Sequence, residues 1–169
     1  MTTVLYAQPY DIDAKGFFFS SAEDYQREAS NKTNRWGALV EEFEIQFIEG
    51  DVIDAALFDA LDVHQADIEA FFCAVEDWDE GQMQRVIIAV GECSYAFDLA
   101  SDTPDGFDVD IYEMESLKDL AEHFVDEGLF GDIPGQLQFY IDHDAIARDL
   151  AVDYSEAIIA GQRLIYRCA

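Results

Sequence analysis

Between Trp36 and Leu117 the chain carries 22 Asp or Glu and a single basic residue, Arg85. Nothing else in the sequence limits the possible folds so strongly. Like charges at this density repel one another and oppose compaction. A carboxylate surface that persists across several expected elements therefore points to use rather than accident. The flanks lie closer to balance, with five acids and four bases in the first 35 residues and ten and four in the last 52. The formal net charge of −28 is thus concentrated in the middle.

A solvated acidic tail would explain the charge, but the composition excludes it. Half of the 169 residues are apolar, and 13 Phe and 8 Tyr recur with regular periodicity, enough to bury a core of domain size. No apolar run approaches the ~20 residues needed to span a bilayer and no basic, apolar leader opens the chain, so a cytoplasmic protein is expected. Cys73, Cys93 and Cys168 are odd in number and widely spaced, which reads as reduced thiols rather than a zinc or disulfide framework.

In chain order, Thr3 to Gln8 and Gly16 to Phe19 have the apolar content of short strands. Ser21-Ala-Glu-Asp24 has capping-box spacing ahead of a helix of about ten residues. From Glu42 to Ile48 the period becomes two, with Phe43, Ile45 and Phe47 on one side and Glu42, Glu44 and Gln46 on the other. That is a half-buried strand with carboxylates roughly 6.7 Å apart along its outer face. A solvated surface strand would explain any one of these acids, but ordinary surfaces interleave both signs.

Asp51 is placed to cap a helix with Ile53, Leu57 and Leu61 inward and Asp54 and Asp59 toward water. A second helix follows Val63-His64, with Ile68, Phe71, Phe72 and Val75 at helical spacing, and Met83, Val86, Ile87 and Val90 repeat the pattern in a third. Tyr95 to Leu99 suggests a short fourth helix, and Asp77 to Gly81 a loop. The middle therefore reads as a small helical bundle with an acidic exterior. Ser101 to Gly106 turns sharply, and its alignment to a calcium loop fails because Tyr112 would stand where Glu is needed. No metal site or cofactor is expected.

Beyond the turn, Phe107, Val109 and Ile111 alternate with Asp108 and Asp110 in a further strand, and Ser116 to Asp119 has capping-box spacing for a helix carrying Leu117, Leu120, Phe124 and Val125. A helix from about His143 to Leu150 and a hairpin of Tyr154 to Ala160 with Gln162 to Cys168 complete the chain, the hairpin able to join the Phe107 strand in one sheet.

These residues resemble the ArdA antirestriction family, DNA mimics of mobile genetic elements. The likeness rests on the Glu41-Glu-Phe-Glu-Ile-Gln-Phe strand, on Tyr140-Ile-Asp142 leading into Ala145-Ile-Ala-Arg-Asp-Leu150, and on the Tyr154 to Arg167 hairpin turning at Gly161. The resemblance implies an elongated α+β chain of three small parts: an N-terminal sheet-and-helix subdomain over 1–61, an acidic helical subdomain over 62–103, and a C-terminal mixed subdomain over 104–169 that forms a homodimer. It also implies inhibition of type I restriction-modification enzymes through their DNA-binding groove, with no catalysis, no direct nucleic-acid binding and no membrane. An antirestriction motif is expected near Phe124 to Gln136, including Asp126, Glu127 and Asp132.

The charge pattern accords with that mechanism. Lys and Arg in a DNA groove gain much of their affinity from phosphates irrespective of sequence, and carboxylates at similar density can engage the same cations. At one charge per ~1.7 Å of duplex, 28 charges correspond to roughly 48 Å and a dimer to roughly 95 Å. The candidate contact groups are Glu41, Glu42, Glu44, Glu49, Asp51, Asp54, Asp59, Asp62, Asp67, Glu69, Glu76, Asp77, Asp79, Glu80, Asp108, Asp110, Glu113 and Glu115. Two other readings compete. A salt-adapted acidic protein would spread its acids evenly, and a carboxylate hydrolase would need convergent geometry that Asp142, His143 and Asp144 do not establish by being neighbours. His64, His123 and His143 are scattered, and neither a nucleophile elbow nor a phosphate loop is present. No catalytic residue is assigned.

Overall fold

In β1 (Val4–Pro9) every second side chain is buried, because Leu5, Ala7 and Pro9 point to one side of the strand and Val4, Tyr6 and Gln8 to the other. The computed structural model describes residues 1–169 and places β1 at the centre of a three-stranded antiparallel sheet, between β2 (Phe17–Phe19) and β3 (Phe43–Glu49). Leu5 stands opposite Phe19 and Phe47, and Ala7 opposite Phe17 and Ile45, so one face of the sheet is almost wholly apolar. α1 (Ala22–Ser30) starts where Ser21 accepts the Asp24 amide at 3.1 Å, and its Tyr25 ring lies 5.9, 5.0 and 6.2 Å from the rings of Phe17, Phe19 and Phe43.

Three further helices follow: α2 (Val52–Leu61), α3 (Ile68–Asp77) and α4 (Glu80–Val86). Rings join them to the sheet in sequence, Phe19 to Phe72, Phe72 to Phe71, Phe71 to Phe58 and Phe58 to Phe47, at centroid separations of 5.4 to 6.1 Å. Edge-to-face and tilted contacts of this kind add to the burial itself. α4 opens with a complete capping box between Asp79 and Gln82, then runs on as a π-helical turn over Ile87–Glu92 whose Ile87, Ile88 and Ala89 are buried. The segments 1–61 and 62–103 therefore lie together in one compact unit, Met1–Gly106.

The expected helix at Tyr95 to Leu99 does not form. Ser94 takes a left-handed φ of 58°, which ends helical propagation, and the Asp98 and Asp102 carboxylates then accept the amides of Ala100 and Asp98 at 3.0 and 2.8 Å. Short acidic side chains here take the backbone donors that a helix would have used.

The second unit, Phe107–Ala169, holds β4 (Val109–Tyr112), α5 (Leu117–Asp126), α6 (His143–Leu150), β5 (Ser155–Ile159) and β6 (Gln162–Cys168). Its sheet is antiparallel in the order β4-β6-β5, so the hairpin does join the Phe107 strand. Ala160 and Gly161 make the two-residue turn with φ of 51° and 84°, the doubly left-handed geometry that matches strand twist and favours Gly. The core is small: Leu120, Phe124, Tyr154 and Ile165, with Tyr112, Met114, Leu117 and Leu150 packed against it. The chain is thus α+β, with six α-helices and two small antiparallel sheets. Cys73 is a free, exposed thiol, but Cys93 and Cys168 are not free, so the reading of all three as reduced holds only for Cys73.

Candidate functional site

The alternation of β3 buries Phe43 and Ile45 and leaves Glu44 exposed, with Glu41, Glu42 and Glu49 exposed at its two ends. As an edge strand, β3 has unpaired backbone groups. Gln65 engages them, accepting the Phe43 amide at 2.8 Å and donating to the Glu41 carbonyl at 3.2 Å, while the acids discourage pairing with another strand. The helices present the rest. Asp59, Asp62, Glu69, Glu76, Asp77, Asp79 and Glu80 are all exposed on α2, α3, α4 or their ends, outside the aromatic core. In the second unit Asp108, Glu113 and Glu115 are exposed, as are Asp126, Glu127 and Asp132 of the expected motif.

The first group stands in a stretch with few bases, Arg85 being the single one between Trp36 and Leu117. The ion pairs of Arg27, Arg35, Lys118, Arg163 and Arg167 do not reach Glu41, Glu42, Glu44, Glu49, Asp59, Glu69, Glu76, Asp77, Asp79 or Glu80. Several bases are held by acids elsewhere: Arg27 by Asp24 and Glu28, Arg35 by Asp13, Lys118 by Asp144, Arg163 by Glu115 and Glu156, and Arg167 by Asp110. Lys32 instead lies over the Phe17 ring at 5.0 Å.

Four candidates are placed otherwise than expected. Asp54 is buried at 4% exposure and accepts the Thr3 hydroxyl at 2.8 Å, so it points inward and not to water; the packing of β1 on α2 claims it. Asp51 precedes α2 but makes no side-chain cap, because its carboxylate takes the chain's amino terminus at 3.1 Å. Asp67 is half-buried and turned to His64, whose backbone amide and Nδ1 lie 3.1 and 2.9 Å from its Oδ2. Asp110 is half-buried and gripped by the Arg167 guanidinium, whose Nε donates at 3.0 Å. Hydrogen bonding to Asp110 holds the Arg167 guanidinium above its ordinary range, and the nearby Tyr154 acts in the same direction. Burial raises the Tyr112 hydroxyl beside them.

Acids of the same character also lie outside the set expected from sequence. Glu92, Asp98, Asp102 and Asp105 are exposed, and the excess of acids over bases around them was the available signal. No group of three or more His, Cys, Asp or Glu is arranged to hold a metal ion, and no helix is long and apolar enough to cross a membrane.

No individually curated protein matches the chain. The family model described as antirestriction protein (ArdA) matches residues 22–162, from α1 through the turn of the final hairpin. With an acidic surface on an α+β frame and a match over most of its length, this chain belongs to the ArdA family of antirestriction proteins.

Proposed function

We propose that the chain inhibits type I restriction-modification enzymes by occupying their DNA-binding groove, with carboxylates standing in for phosphates and no chemistry performed. The observation that carries this reading is the group of exposed acids from Glu41 to Glu80, in a stretch where Arg85 is the single basic residue and which the ion pairs of Arg27, Arg35, Lys118, Arg163 and Arg167 do not reach. Each presents charge outward from an element fixed by buried rings. A groove lined by Lys and Arg gains affinity from such groups without reading any base. The contact set is the solvent-facing part of this group together with Asp108, Glu113 and Glu115, and Asp54 is left out because it is buried.

We assign the homodimer surface to the second unit, where Leu129, Phe130, Leu137, Phe139 and Tyr140 are exposed near Asp126, Glu127 and Asp132. A run of large apolar side chains in water marks an interaction surface. Light scattering at working concentration tests it, with a monomer as the contrary result. The three-part division at 61/62 and 103/104 is kept as a functional one: frame, charged face and assembly region. A cytoplasmic setting follows from the partner.

Titrating the chain into a complex of purified type I methyltransferase and labelled cognate DNA tests the mechanism. Displacement of DNA at stoichiometric amounts is the expected result. DNA that stays bound at saturating protein would count against groove occupation. The salt-adapted alternative makes a different demand, unfolding at low ionic strength, and a thermal melt without added salt separates the two.

A further inference from the structure

Two loops of the first unit build a surface of another kind. Asn34 donates to Asp11 Oδ2 at 2.8 Å, the Asp13 amide donates to Asp11 Oδ1 at 2.8 Å, and the Arg35 amide donates to the Asp13 carbonyl at 3.0 Å. The Asp13 carboxylate then holds both the Trp36 indole N–H, at 3.1 Å, and the Arg35 guanidinium, at 2.8 Å, while that guanidinium stacks on the Trp36 ring 4.6 Å from its centroid. The network fixes an aromatic ring and a cation side by side. Around them the large side chains stay in solvent: Trp36 is 73% exposed, Ile12 96%, Tyr10 66% and Leu39 66%.

Such a cluster is costly to display and does not serve the core. Trp, Tyr and Arg, held rigid in advance, are the residue types that dominate binding energy at protein interfaces. Charge indicates what covers it. The two loops, residues 10–16 and 31–39, carry two acids and three bases, so a cationic groove gains little here from the field that draws it to Glu41 to Glu80. The Arg35 guanidinium keeps unused donors on its open edge, its side chain being 65% exposed. The complementary surface is therefore apolar and carries a carboxylate.

We infer that Tyr10, Ile12, Arg35, Trp36 and Leu39 form an anchor for an apolar, carboxylate-bearing protein surface that flanks the DNA groove of the restriction-modification enzyme. This rests on the function proposed above, and through the apolar side chains of Trp36 and Ile12 it adds a component of affinity that salt does not screen. The carboxylates supply attraction and the anchor supplies register.

The test is a salt series of DNA-displacement titrations with the full chain, Trp36→Ala and Ile12→Ser, alongside a variant with Glu41, Glu42, Glu44, Glu69, Glu76 and Glu80 changed to Gln. Ile12→Ser guards against loop loosening, since Ile12 is almost wholly solvent-exposed whereas Trp36 takes part in the Asp13 network. Both anchor variants are expected to bind about tenfold more weakly at every salt concentration with an unchanged salt slope. The carboxylate variant is expected to flatten that slope. Anchor variants within about twofold of the unmodified chain, or a loss that disappears at high salt, would overturn the anchor while leaving groove occupation intact. A change of oligomeric state in either anchor variant, read by light scattering, would assign the patch to a second copy and overturn the inference. Failure of the unmodified chain to displace DNA would overturn both readings.

Discussion

Met1–Gly106 holds 23 acids and five bases, and Phe107–Ala169 holds fourteen and four, so the two units carry nearly equal charge per residue. They hold it differently. In the second unit Arg167 sits on Asp110, Arg163 lies near Glu115 and Glu156, and Lys118 reaches Asp144. In the first, the bases cluster ahead of Trp36 apart from Arg85, and Glu41, Glu42, Glu44, Glu49, Asp59, Glu69, Glu76 and Glu80 face solvent outside the ion pairs of Arg27 and Arg35. Their cores differ as well: a continuous series of rings under the charged face of one, and a small cluster around Phe124 and Tyr154 in the other. Net charge alone does not locate a useful field. Where the counter-charges lie decides that, as does the stiffness of the frame beneath.

Phe71→Ala should have the greatest effect, because it removes the frame that sets the first unit apart. Phe71 is fully buried between Phe58 and Phe72, and its loss should destabilise the first unit by about 3 to 5 kcal/mol, read by chemical denaturation. A change below about 1 kcal/mol would mean that the charged face does not depend on this core. Next in size, converting Glu41, Glu42, Glu44, Glu69, Glu76 and Glu80 to Gln should weaken enzyme binding by about 100-fold, while leaving the melting temperature equal or higher at low salt because self-repulsion is relieved. Six neutralisations among the exposed acids of the second unit should cost distinctly less. Equal losses would erase the contrast between the units.

Arg167→Ala probes the contrast from the other side. The pair with Asp110 is part-exposed and screened by solvent, so its loss should shift the denaturation midpoint only slightly, with little effect on affinity. Smallest of all, Glu44→Gln or Asp79→Asn alone should change affinity by less than about twofold, because a diffuse field is shared among many groups. One such change that abolished inhibition in a folded protein would replace the field by a specific contact.

The Asp11 network gives a pH dependence whose sign follows from its hydrogen bonds. Bonds from Asn34 and from the Asp13 amide hold Asp11 below its ordinary value of 3.8, so its contribution is full above that value and is lost as pH falls through the lowered one. The Asn34 side-chain amide resonance, which reports the bond to Asp11 directly, should shift as pH falls through that lowered range.

Most of the frame was legible because local chemistry set it. The alternation of β3, the Ser21 and Ser116 caps and the Gly161 turn each involve residues within a few positions of one another, and each stands where the pattern puts it. The departures have partners far away or geometry without a signature. Asp54 is buried by Thr3, 51 residues earlier, and Asp51 is diverted by the chain terminus. The helix expected at Tyr95 yields to the left-handed Ser94 and to two carboxylates that bond the backbone locally. The charged face was visible as a count of acids over bases. The anchor was not, because Asp11 and Asn34 lie 23 residues apart and nothing in either loop alone announces the other.

The most direct measurement is the affinity of the chain for a purified type I enzyme, by DNA displacement, from about 50 to about 300 mM salt. Carboxylates that take the place of phosphates predict a fall of about tenfold or more across that range, with the unmodified chain losing far more than the six-Gln variant. An affinity that stays level with salt, or an equal decline for both proteins, would contradict phosphate mimicry.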